Sequence, residues 1–226
     1  QWDKIAVYRG VTSLLMDLAE RPEHSHAIME RVTGMLIEQY RQYEALGLLE
    51  SELPLIHCTA GYCDDLKVPA DAPVQRQHVW GRCMAQIFAS VSPAMHDEFE
   101  IDYQTRTMEP FGLVYYGCCE PLDRKIDIVK KIPHLRKISI TPWANVHVAA
   151  EAIGKDYVVA VKPNPAHVSG PFDAAVVRRE IGEILDACCR NGCSCDIVLK
   201  DISTVGHRPE NLRLWEQTVM EMVRSH

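Results

Sequence analysis

From residue 113 onward the chain alternates short β-branched or aromatic runs with segments of helical period. That alternation restricts it to folds in which parallel strands are joined by helical crossovers. The run Leu113-Val114-Tyr115-Tyr116 sits between the turn signal Phe111-Gly112 and Pro121, and residues 137–141, 157–161 and 197–199 read as further strands. Helices are expected over 123–132, 146–153, 172–189 and 209–223, with Gly154 closing the second and Pro163 and Pro165 stopping strand 157–161. Upstream, residues 4–8 read as the end of a strand, 11–19 and 23–46 as helices, 54–58 as a short strand and 75–89 as a helix. Ser92-Pro93 has the form of an N-cap and first helical residue, opening a helix that runs to about Glu109.

At 226 residues and 47% hydrophobic, residues 1–226 are expected to form a single domain with a sizeable core. No apolar stretch approaches the roughly 20 residues a membrane-spanning helix requires, and no signal-peptide pattern opens the sequence, so the expectation is a cytoplasmic protein with no membrane partner. A net charge of −7, with the basic residues scattered, is unsuited to gripping phosphate backbones and argues against nucleic acid. Nine cysteines without a secretory signal read as reduced thiols, some of them metal-bound, rather than a disulfide framework.

Chemistry is expected where strands end, because parallel α/β sheets and barrels carry their functional groups at carboxyl ends. The strand at 113–116 ends in Gly117-Cys118-Cys119-Glu120, two thiols and a carboxylate; simple alternation sends Tyr116, Cys118 and Glu120 to one face and Tyr115 and Cys119 to the other. His57, Lys162 with Asn164, and Asp201 stand at other strand ends, and Tyr62 and Trp143 in the loops beside them are candidate pocket walls. Lys162 is suited to anchoring an anionic substrate. Lys200 and Asp201 have opposite parity, so only one is expected to face the site. The dense Cys188-Cys189, Cys193 and Cys195 group spans a helix end and the start of a strand, the stability end of such a sheet, which argues against a metal role.

Three segments resemble the uroporphyrinogen decarboxylase superfamily, which includes cobalamin-dependent methyltransferases. They are the opening helices with Glu20-Arg21-Pro22-Glu23 and Glu44-Ala45-Leu46-Gly47; the stretch Val91-Ser92-Pro93-Ala94-Met95-His96-Asp97-Glu98-Phe99 through Tyr103; and the block from Tyr115 through Trp143 to Lys162-Pro163-Asn164-Pro165 and Leu199-Lys200-Asp201. The match looks closest to the uncharacterised decarboxylase-like branch. The resemblance implies a (β/α)8 TIM barrel of which this chain supplies the later part, the first strands lying upstream. An open barrel of that kind is expected to expose an unsatisfied sheet edge and to self-associate, for instance as a homodimer.

In the methyltransferases, a His-x-Cys at one strand end and a Cys at a later one hold zinc, which activates the acceptor thiol. Tyr116-Gly117-Cys118 stands where His-x-Cys would be and Asp201 near the later Cys, so only the first Cys is retained. The resemblance thus implies Cys118, Tyr116 and Asp201 as catalytic residues, with Cys118 a zinc ligand; by their strand-end or loop positions His57, Tyr62, Trp143, Lys162 and Asn164 are expected to bind substrate, and Glu120, His57 and Asp201, or Cys119, to complete the metal ligands if the strand ends converge. The leading expectation is a corrinoid-linked methyltransferase acting on a small-molecule substrate, with methylcobalamin carried on a partner corrinoid protein. One alternative is a metal-independent uroporphyrinogen-type decarboxylase, a lyase, although the Asp that branch places on the strand corresponding to 55–58 is absent. Another is a non-catalytic barrel that binds a corrinoid or a partner.

Overall fold

A computed structural model describes residues 1–52 and 55–226. Three helices open the chain, α1 (Trp2–Arg9), α2 (Val11–Glu20) and α3 (Pro22–Ala45). The strand expected over residues 4–8 is therefore helical. Trp2 decides it: its indole is buried against Phe88 and donates Nε1–H to the Phe99 carbonyl at 2.9 Å, docking α1 on the protein. A two-stranded hairpin follows, β1 (Leu55–Ile56) paired antiparallel with β2 (Thr59–Ala60). Of the strand expected over 54–58, Pro54 lies outside the described residues; residues 55–58 do not form a parallel barrel strand, and the chain reverses at His57-Cys58.

The helix expected over 75–89 is instead strand β3 (Trp80–Cys83), flanked by 3-10 turns at Arg76–His78 and Gln86–Ser90. Gly81 shows why the segment lies flat. A Cβ there would stand 2.9 Å from atoms of Met108 and Phe111, so strand and helix pack closer than a side chain allows. Ser92 caps α4 (Pro93–His96) as expected, its Oγ accepting the Met95 N–H at 3.2 Å; a π-helical turn (Asp97–Ile101) continues it into α5 (Asp102–Met108).

Then β4 (Leu113–Tyr116), β5 (Leu135–Ile140), β6 (Val158–Val161) and β7 (Ser194–Ile197) alternate with α6 (Ile126–Val129), α7 (Val146–Ile153) and α8 (Ala174–Arg190), and α9 (Glu210–Ser225) closes the chain. Two elements differ from expectation. α6 is a single turn rather than a helix over 123–132, and the last strand ends at Ile197, leaving 199–201 outside the ladder.

The five strands form one parallel sheet in the order β3-β4-β5-β6-β7. Right-handed crossovers that always step the same way place their helices on one face. That face holds the main core, where Val114, Ile138, Ile140, Val159 and Val161 meet Met108, Ile126, Ile153, Val177, Ile181 and Val219 from the helices. The hairpin lies on the opposite face, in a small cluster of Cys58, Tyr115, Cys118 and Ala160 with Trp80, Met84 and Cys119 against it. The chain is thus an α/β protein with strand ends gathered at Cys118, Thr141, Lys162 and beyond Ile197. No described helix is long and apolar enough to cross a membrane.

Candidate metal and thiol site

Gly117 adopts φ 101° directly after β4, and this reverses the expected alternation. Tyr116 faces the helices and Cys118 the hairpin, so the two do not share a face. Tyr116 is fully buried, with its hydroxyl 2.7 Å from His96 Nε2 and donating to Glu100 Oε2 at 3.0 Å. A Cβ on residue 117 would come within 2.8 Å of Leu122 and Ser139, so only glycine fits this exit. The turn is tied down on both sides, Gly117 N–H to the Cys83 carbonyl at 2.9 Å and Ser139 Oγ to the Cys118 carbonyl at 2.8 Å.

His57 and Cys58 occupy the two turn positions of the hairpin, between the facing pair Ile56 and Thr59. Tight hairpin turns of this length favour positive φ, and His57 takes φ 54°. The turn aims both side chains at Cys118. His57 Nε2 lies 3.4 Å from Cys118 Sγ, and these two atoms and Cys58 Sγ all fall within 4.8 Å of one another. Cys58 and Cys118 are buried and His57 is exposed, so the cluster opens to solvent on the imidazole side.

This His-Cys-Cys group is a donor set that can hold a metal ion. Its composition fits zinc. One imidazole and two thiolates match in kind and number the three protein ligands that tetrahedral catalytic zinc sites use. Cys58 is the member missing from the sequence-based ligand set; its signal was adjacency to His57 at a chain reversal, which carries no Gly or Asn to mark it.

The other expected ligands stand apart from the cluster. Glu120 is buried with both oxygens committed to backbone, Oε2 accepting the Cys118 N–H at 3.0 Å and Oε1 that of Ala85 at 3.3 Å. Asp201 accepts from Lys200 Nζ at 2.9 Å and from Cys119 Sγ at 3.3 Å. Residues 199–201 lie beyond the last strand and Asp201 takes φ 59°, so strand parity does not apply and Lys200 and Asp201 both line the cleft where only one was expected. Lys200 is the more central: its ammonium lies 3.3 Å from Cys118 Sγ and 3.0 Å from Cys119 Sγ.

The electrostatics favour one ionised thiol. The adjacent Cys118 thiol lowers Cys58 to about 6 against the opposing effect of burial, with the Tyr115 hydroxyl, 3.2 Å away, contributing. Cys118 is pushed up to about 12 by the Cys58 thiol beside it, burial adding to the effect. Burial raises Cys119 to about 11 although Lys200 opposes it. Burial likewise depresses Lys162 to about 8; its Nζ donates to the Ala160 carbonyl at 2.7 Å and sits 4.9 Å from the centre of the Tyr115 ring.

A cleft of about 130 Å³ adjoins the thiols, walled by Pro142, Trp143, Pro163 and Pro165 with Lys162 and Lys200 at its edge. Trp143, 71% exposed, thus stands in the expected position of a pocket wall. Tyr62 lines a different opening, with Gly61, Cys63 and Leu66. Asn164 uses its side chain locally, Oδ1 accepting the Ala166 N–H at 3.0 Å to cap a 3-10 turn. Comparison with protein-family models, curated proteins and solved structures gives no match to this chain.

Proposed function

We propose that this protein is a zinc-dependent, corrinoid-linked methyltransferase of the uroporphyrinogen decarboxylase superfamily, and that its sheet is the later part of a (β/α)8 barrel. The strictly sequential, all-parallel strand order supports the barrel, since a closed barrel is built by steps that never reverse direction. The observation that carries the function is the convergence of His57, Cys58 and Cys118 at the carboxyl end of β4, beside a cleft. Zinc bound there supplies Lewis acidity that holds an acceptor thiol as its thiolate at neutral pH.

The chain's own groups have distinct parts in this reading. His57, Cys58 and Cys118 are the ligands. Lys200 steadies the Cys118 thiolate from 3.3 Å, and its charge limits how tightly a cation is held. Pro142, Trp143 and Pro163 keep water from the acceptor, and Lys162 offers a cation to an anionic substituent on it. Methylcobalamin on a partner protein is the methyl donor in this proposal.

The test is thioether formation from methylcobalamin and a panel of small anionic thiols, followed by mass spectrometry with and without zinc. The proposal expects product that requires zinc and disappears in Cys118→Ser. Stoichiometric zinc with no methylated thiol from any acceptor would overturn the methyltransferase reading while leaving the metal site standing.

A further inference from the structure

Two of the three donors stand on the hairpin and one at the exit of β4, so the cluster exists only while the hairpin is seated. The hairpin has two residues per strand, far too few for independent stability. Its position therefore depends on what grips β2. We propose that Asp196, paired with Lys137, is a positioning residue that seats this hairpin and thereby sets the metal affinity of the His57, Cys58 and Cys118 site. The inference rests on reading that cluster as a metal site.

The grip is dense and directed. Asp196, in the middle of β7, accepts through Oδ2 from Thr59 Oγ1 at 2.6 Å, from the Ala60 N–H at 3.3 Å and from Lys137 Nζ at 2.9 Å. Lys137, on β5, turns the same ammonium to the Ala60 carbonyl at 2.6 Å. One ion pair thus engages a hydroxyl, an amide and a carbonyl of the two residues that follow Cys58. Among the described residues, the other polar contacts from the strands to the hairpin limb are Trp80 Nε1–H donating to the Gly61 carbonyl at 3.0 Å and the Tyr115 hydroxyl 3.2 Å from Cys58 Sγ.

Lys137 is buried and Asp196 nearly so, with side-chain exposures of 9% and 19%, and charged hydrogen bonds withdrawn from water are strong and geometrically selective. Removing Asp196 leaves the Lys137 ammonium unpaired under the hairpin, which displaces Thr59 and Ala60 and draws the adjacent Cys58 away from Cys118. The effect on a metal would pass entirely through the position of Cys58 and His57, since Asp196 contributes no ligand atom to the cluster.

The experiment compares wild type with Asp196→Ala, Asp196→Asn and Thr59→Val. Three quantities are read: the alkylation rate of Cys58 in metal-free protein, mapped by mass spectrometry; cobalt(II) affinity; and thiolate-to-cobalt charge-transfer absorbance per bound metal. Cys188, buried at the other end of the sheet, reports global unfolding. In Asp196→Ala, Cys58 is expected to alkylate at least about tenfold faster and cobalt affinity to fall about tenfold to a hundredfold, the range for residues that orient ligands. The charge-transfer absorbance per metal should drop as Cys58 leaves the coordination. Asp196→Asn, which keeps an acceptor for Thr59 and Ala60, should recover part of each loss, and Thr59→Val should fall between.

Wild-type behaviour of Cys58 and cobalt in both Asp196→Ala and Thr59→Val would overturn the proposal. If Asp196→Ala also exposes Cys188, Thr59→Val decides. A wild-type protein that takes up no cobalt or zinc overturns the metal reading alone, and Cys58 alkylation then decides whether Asp196 seats the hairpin.

Discussion

Glu120 shows how one side chain can be functional in kind yet structural in use. A carboxylate two residues after a strand-end thiol is a reasonable ligand on paper, but here both oxygens hold backbone amides that shape the turn. Burial raises its pKa from 4.5 to about 7, against the lowering effect of those hydrogen bonds. The folded protein therefore binds more protons than the unfolded chain between these values, and stability falls as pH rises through that window. The contribution is fully present below 4.5 and lost above about 7, an amount on the order of 3 kcal/mol. Urea unfolding of wild type and Glu120→Gln should thus give a stability difference that shifts against the wild type by about that much between pH 4.5 and 8. A difference independent of pH would mean that Glu120 is solvated.

At the scale of elements, Gly117 and the hairpin turn determine where the site forms. The strands β4, β5 and β6 and the Ser92 cap were legible because each carries a local signal: β-branched or aromatic runs with a breaker, or a hydroxyl before a proline. β3 was hidden because Val79 to Cys83 sits among residues of helical period, and only its fit against Met108 and Phe111 makes it a strand. The hairpin was hidden because His57-Cys58 is not a turn sequence; its geometry is imposed by the contacts of Thr59 and Ala60 with Asp196. Cys118 is legible as a strand-end candidate, but alternation groups it with Tyr116, and a glycine at positive φ cancels that alternation and separates the two. Gly117→Ala must adopt that strained φ and press on Leu122 and Ser139. It should lose about 2 to 4 kcal/mol in thermal or urea unfolding, and near-neutral stability would mean that the turn can relax without it.

Across the whole molecule, the sheet divides structure from chemistry. Its helix-covered face is mainly apolar, with the buried Tyr116, His96 and Glu100 contact as its polar exception, while the opposite face carries Tyr115, Lys137, Lys162 and Asp196 around the hairpin. β3 and β7 each have a strand partner on one side only among the described residues, so the sheet is open at both edges. The site is assembled from four separate parts of the chain, the hairpin, the β4 exit, the β6 end and the segment after β7, brought together by parallel register. Such convergence is not readable from spacing, which is why Cys58 and Lys200 emerge as central only when the strand ends are placed side by side. The central claim is that His57, Cys58 and Cys118 bind one metal ion together. X-ray absorption at the zinc edge of the zinc-loaded protein tests it most directly: the account predicts one zinc per chain, with two sulfur ligands near 2.3 Å and nitrogen or oxygen ligands near 2.0–2.1 Å, and loss of one sulfur in Cys58→Ser. Zinc bound without sulfur, or a spectrum unchanged by Cys58→Ser, would contradict it.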